Sequence, residues 1–186
     1  MGGPANRELE PGGEVLSQRL DGLLGRAHVL RQSAEQVYRS LSAERERLSR
    51  IPSIWPTVGG RVTSRFGRRP DPFTGQTAFH RGVDLGARKG TPVLATADGR
   101  VVKVRHSSSG FGNQVTLEHG NEYRTSYAHC DRILVSKGQK VARGDVIATV
   151  GSSGHSTAPH LHYEVHRDGR FVNPLDYVLP LDFVID

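Results

Sequence analysis

The hydrophobic period of this chain changes once, across a short segment that suits neither side. Residues 51–60, IPSIWPTVGG, carry two prolines and end in a glycine pair, so neither a helix nor a paired strand should run through them. Before this break, Leu16, Leu20, Leu23, Ala27, Leu30, Ala34, Val37 and Leu41 follow one another at alternating spacings of four and three, and the next position is Glu44. That is a heptad seam of period 3.5. The stretch from Glu14 to Arg50 has no proline and only Gly22 and Gly25 as glycines; the rest is compatible with helix. A helical arm over residues 1–50 is therefore expected. A coiled coil that self-associates or docks a protein partner through residues 14–50 is the preferred reading. The alternative is a single amphipathic helix packed on its own domain.

After the break the period is two. TPVLATA, RVVKVRH, NQVTLEH, EYRTSYAH, KVARGDVIATVG and HLHYEVH are short runs rich in Val, Ile, Thr and Tyr, separated by DG, SSSGFG and GN turn signals. No helical pattern persists there for ten residues. The expected architecture is mainly β, an antiparallel domain over 61–186 folded as a sandwich or partly closed sheet, with residues 51–60 as a linker.

Charge and cysteine content narrow the chemistry. The formal net charge is +6. Up to Arg50 there are eight arginines against seven acids, and beyond it 17 basic residues against 12 acidic, so the basic character sits in the second region. An anionic partner fits, but aromatics make up only 6% of the chain and no basic cluster is interleaved with them, which argues against nucleic acid. Cys130 is the only cysteine, so no internal disulfide or cysteine-based metal knot can form, and any ion must be held by His and carboxylates. No apolar run reaches the roughly 20 residues of a membrane span. The start MGGPANRELEPGGEVL lacks a secretory core, so a signal or anchor is expected to precede Met1.

Seven of the nine histidines fall between His106 and His166. In HLHYEVH, strand alternation sends Leu161, Tyr163 and Val165 to a core face and His160, His162, Glu164 and His166 to the other. Adjacent imidazoles on one face make sense when a cation keeps at least one of them neutral. In HRGVD, one extended strand would put His80, Gly82 and Asp84 on one side, with a cation-sized gap over the glycine. His129 ends YRTSYAH as a further candidate. Two histidines and a carboxylate with an open position suit a hydrolytic zinc site; a two-His-one-carboxylate iron site is the chemical competitor.

HRGVD (80–84), SYAH (126–129) and GHSTAPHLHYEV (154–165), with FGNQVTLEHG between the first two, resemble the lysostaphin/LytM-type zinc endopeptidases of the M23 peptidase family. The resemblance runs from about Pro52 to Tyr177, roughly two-thirds of the chain. It implies an antiparallel β-sheet groove, zinc held by His80, Asp84 and His162, and His129 and His160 beside the attacking water as catalytic groups. It also implies a peptidoglycan peptide as substrate and a periplasmic or cell-envelope location. A non-catalytic LytM-like activator of other wall hydrolases is the alternative, disfavoured because all five residues are kept. Ala158 stands where the family often has Gly. His106, His119 and His166 are expected at the surface or in turns, His155 in a variable loop, His28 solvated in the arm, and Cys130 in the core. VSKGQKVARGDVIATVG shares β-turn grammar with biotinyl and lipoyl carriers, but no lysine sits at a suitable hairpin tip.

Overall fold

The computed structural model describes residues 11–70, 75–120 and 122–178. It divides into two compact units, Met1–Glu46 and Arg47–Asp186.

Among the described residues, the first unit holds one helix, α1 (Pro11–Ser49), which runs on past the division. Its seam positions are solvent-exposed: Leu16, Leu20, Leu23, Leu30, Val37 and Leu41 each keep more than half of their surface. Gly22 and Gly25 lie inside it at a cost of roughly 1 kcal/mol each relative to alanine. The helix stops short of Pro52, whose ring disfavours helical geometry in the residue before it.

The second unit is built from β1 (Arg61–Ser64), β2 (Gly67–Pro70), β3 (Thr77–His80), β4 (Val83–Gly86), β5 (Pro92–Leu94), β6 (Gly99–Arg105), β7 (Asn113–Glu118), β8 (Tyr123–Ile133), β9 (Lys140–Val141), β10 (Val146–Val150), β11 (His160–Arg167) and β12 (Arg170–Val172), closed by a 3-10 turn at Pro174–Asp176. The main sheet has the order β1-β4-β11-β8-β7-β6-β9, with β10 joining β5 to β8 and β12 paired to β11; β2 and β3 form a separate ribbon. Every pairing is antiparallel. The turn between β11 and β12 has both Asp168 and Gly169 at positive φ, as a two-residue hairpin of matching twist requires.

Residues 51–60, expected as a linker, lie within this unit. The Ser53 amide donates to the Thr96 carbonyl, the Leu94 amide donates to Pro56, and Thr57 bridges Val93. Pro52, Pro56 and Thr57 are buried, and Ile51 and Trp55 pack on the core. The prolines end the helix, and the same segment then serves as a strap along the sheet.

The core faces one side of the sheet. Leu85, Leu117, Tyr127, Leu161 and Val165 are fully buried there. Tyr127 Oη meets Thr96 and Thr125, while Tyr163 Oη donates to Thr96 Oγ1, so both phenols are satisfied inside. The opposite face of β4, β8 and β11 carries the clustered histidines.

Candidate metal centre

His80 and Asp84 do not share one extended strand, as the sequence suggested. His80 ends β3, Arg81 and Gly82 bend, and Asp84 lies on β4. The bend brings Gly82 over β11 so closely that a Cβ there would strike the Tyr163 carbonyl and crowd Glu164. Glycine is required because another strand passes beneath. The two side chains still converge, with His80 Nε2 3.2 Å from Asp84 Oδ1. The register of β11 on β4 sets His162 opposite Asp84, and His162 Nδ1 lies 2.8 Å from the same oxygen.

His129 reaches this face by a different route. Between the pairs Val115↔Tyr127 and Asn113↔Cys130, β8 has one residue more than β7, and His129 sits at φ 60. A left-handed residue at a β-bulge resets the alternation. His129 therefore lines the cleft and Cys130 enters the core, buried as expected. Such strain in a non-glycine residue costs on the order of 1–3 kcal/mol and is concentrated at functional sites.

The outer nitrogens fix the tautomers. His80 Nδ1 lies 2.8 Å from the Arg65 carbonyl, His129 Nδ1 2.7 Å from Ser153, and His160 Nδ1 2.8 Å from Ala158. A carbonyl only accepts, so each of these nitrogens donates, and in the neutral ring Nε2 carries the lone pair. His162 is turned the other way, with Nε2 3.2 Å from Glu164 Oε1 and Nδ1 toward Asp84. The His129 and His160 rings lie 4.7 Å apart, and those of His80 and His162 5.0 Å. Around them is a cleft of about 500 Å³, walled by Thr63, Ser64 and Arg69 on one side and by Phe111 and residues 155–159 on the other.

His80 Nε2, Asp84 Oδ1 and His162 Nδ1 form a triangle with sides of 3.2, 2.8 and 3.1 Å. Three ligands at the zinc–nitrogen and zinc–oxygen distances of a tetrahedral site are separated by ~3.3 Å, so the donor set fits such an ion after a small expansion. The second Asp84 oxygen is 3.4 Å from Arg69 Nη2, which leaves Oδ1 for the histidines.

The electrostatics favour a cation at the same place. Burial works against a charged Asp84, but hydrogen bonds to His162 and His80 outweigh it and hold the carboxyl well below its usual range. Burial also works against charge on His162, but hydrogen bonds to Asp84 and Glu164 outweigh it and raise its pKa to about 9. A pocket that holds a buried proton between two carboxylates offers the same field to a metal ion. His129 behaves oppositely: burial pushes its pKa down to about 4, against the pull of the Ser153 carbonyl, so it is neutral at neutral pH.

Residues 78–174, just over half of the chain, match the model of peptidase family M23. The chain belongs to peptidase family M23. An uncharacterised metalloprotease of Haemophilus influenzae is 50% identical over 121 residues, covering 64% of this chain and 26% of that protein. The peptidoglycan DD-endopeptidase ShyA of Vibrio cholerae is 45% identical over 122 residues (65% and 28%). The murein hydrolase activator NlpD of Salmonella dublin is 40% identical over 124 residues (67% and 30%). Among solved structures, a point mutant of the catalytic domain of the prophage-encoded M23 protein EnpA from Enterococcus faecalis superposes with a TM-score of 0.59 at 36% identity, covering 67% of this chain and 96% of that one. The chain thus spans under a third of the length of these sequence relatives. M23 is a metallopeptidase family, and the antiparallel groove expected from the sequence is the fold observed.

Sequence reasoning places some histidines of this M23 domain wrongly. His119, expected at the surface, is 1% exposed; its Nδ1 donates to the Asp98 carbonyl and its Nε2 meets Thr125 Oγ1 at 2.7 Å. It ties the segment at Asp98 to β8 from inside. His166 is half-buried against Phe171 and lies 3.4 Å from Glu164. His28 and His106 are exposed, as expected, and His155 is exposed in the loop before β11. Glu164 has no role in the sequence reading, although alternation from His162 puts it on the cleft-side face.

Proposed function

We propose that this chain is a zinc-dependent endopeptidase that hydrolyses peptide cross-links of bacterial peptidoglycan, acting in the periplasm or cell envelope. The observation that carries this reading is the convergence of four histidine rings and one carboxylate oxygen in an open cleft. His80, Asp84 and His162 are the zinc ligands, and Arg69 holds the spare Asp84 oxygen. When bound, zinc supplies Lewis acidity for the scissile carbonyl and lowers the pKa of the attacking water. His129 and His160 stand beside it with their outer nitrogens tied to carbonyls. Their Nε2 atoms accept a proton from the water and, once protonated, stabilise the oxyanion or return the proton to the leaving amine. The cleft is open to solvent, which suits a peptide substrate, and the basic domain suits an anionic wall.

The likeness to NlpD supports a second reading, an activator of other wall hydrolases. Retention of all five residues favours the enzyme. The test is mass spectrometry of products from defined cross-linked muropeptides. Cleavage that stops with chelator, returns with zinc, and is lost in His160→Ala at unchanged zinc content is expected. A zinc-loaded chain inert on every muropeptide and on sacculi would leave the activator.

For the arm, we propose that residues 14–50 pair with an acidic helix of another protein. Arg19, Arg26, Arg31 and Arg45 occupy the positions that flank the seam, where no acid stands, while Glu14, Asp21 and Glu35 lie on the far side. A parallel second copy would set Arg26 against Arg31, so self-pairing is repelled. Sedimentation of the full chain should show a monomer that binds a synthetic heptad peptide with Leu in its seam and Glu on its flanks, more weakly in high salt. A stable homodimer, or no binding to that peptide, would overturn this assignment. Among the described residues no helix is long and apolar enough to cross a membrane.

A further inference from the structure

Glu164 lies two residues beyond His162 on β11, beneath the candidate metal centre, and is 5% exposed. A buried carboxylate is costly unless its oxygens are bound. Here Oε1 lies 3.2 Å from His162 Nε2 and Oε2 lies 3.4 Å from His166 Nε2. A Cβ at position 82 would crowd its Cγ, so the glycine leaves room for this side chain, and Ser126 is its cross-strand neighbour on β8. The carboxylate is thus held between two imidazoles.

We propose that Glu164 is a positioning residue: it holds His162 in the tautomer protonated at Nε2, so that the Nδ1 lone pair is presented to the metal, while His166 anchors the second carboxylate oxygen. The inference rests on reading His162 as a ligand. A neutral imidazole has one N–H, and an ionised carboxylate can only accept. Asp84 faces Nδ1 in the same way, but a metal ion taken up by Nδ1 and Asp84 would displace the proton there, so the one N–H left would stand at Nε2 beside Glu164. The partner of His80 is a neutral carbonyl, so His162 is the ligand whose outer contact carries a full charge. A charged acceptor raises the basicity of the ligating nitrogen as well as fixing the ring. Without it, Nε2 would be a buried donor lacking its acceptor, and the ring could turn or adopt the other tautomer.

The experiment is a long-range proton–nitrogen NMR spectrum of the zinc-loaded full chain, with zinc affinity measured by chelator competition in parallel. The unsubstituted chain should show His162 protonated at Nε2 and metal-bound at Nδ1; a proton on Nδ1 overturns the proposal without any variant. Glu164→Leu should bind zinc about 10- to 100-fold more weakly. Glu164→Gln keeps an acceptor oxygen and should recover part of that loss with the same tautomer. His166→Leu, which frees only the second oxygen, should weaken zinc by less than tenfold. Unchanged affinity in a folded Glu164→Leu also overturns the proposal. If Glu164→Leu does not fold, the tautomer of the unsubstituted chain and the affinity of Glu164→Gln decide. His162→Ala separates the two levels: if it binds zinc normally, the ligand assignment itself fails.

Discussion

Leucine has opposite fates in the two units. In the arm, Leu16 and Leu30 keep about 70% of their surface, whereas Leu85, Leu117 and Leu161 in the β domain keep none. The arm is ordered by hydrogen bonds between near neighbours, so its period reads directly from sequence. The domain is ordered by pairings such as His162 with Asp84 and His160 with Gly86, some 75 residues apart. Burial there depends on contacts that no local window contains. Side-chain chemistry alone therefore does not say what a residue contributes; the partner surface does.

The comparison breaks most visibly under matched truncation. Leu161→Ala should lower the stability of the domain by about 2–5 kcal/mol, through lost transfer energy and a residual cavity. Leu23→Ala should leave that stability within about 0.5 kcal/mol. Denaturant melts followed by the fluorescence of Trp55 read the domain directly, and equal effects of the two substitutions would erase the contrast.

Acid sharpens it next. Burial depresses the pKa of His119 below 6.5, against the pull of the Asp98 carbonyl. Between the folded and unfolded values the unfolded chain binds more protons, so domain stability should fall as pH drops from about 6.5 through the folded value. His119→Gln should reduce that slope and leave the part due to His129, whose pKa burial also lowers. A wild-type slope in the variant would mean that His119 is not the group responsible.

The smallest effect should come from removing the arm. A chain starting at residue 47 should keep the melting temperature of the domain, read by the same Trp55 signal, and its rate on a soluble muropeptide within about twofold. A large loss would show that the arm and the domain are not separable.

How far the site could be read from sequence follows the same divide. His160, His162 and the core-facing Leu161, Tyr163 and Val165 were legible because one strand alternates strictly. His80 and Asp84 were legible as a pair but not in their path, since the Gly82 bend answers to the Tyr163 carbonyl beneath it. His129 faces the cleft only because of a bulge, which breaks the alternation on which sequence reading relies. His119 looked like a turn residue, and its burial depends on Asp98, 21 positions away. Residues 51–60 showed the right punctuation, but their packing against Thr96 and Val93 is a non-local fact.

The central claim is that three particular side chains, and not the histidine cluster as a whole, hold the ion. Zinc stoichiometry and affinity in four single variants test it directly. His80→Ala and His162→Ala should lose zinc, by more than the roughly 100-fold associated with outer partners, whereas His129→Ala and His160→Ala should keep one zinc per chain and lose peptide cleavage. Equal zinc retention in all four, or loss of zinc in His129→Ala or His160→Ala alone, would contradict the account.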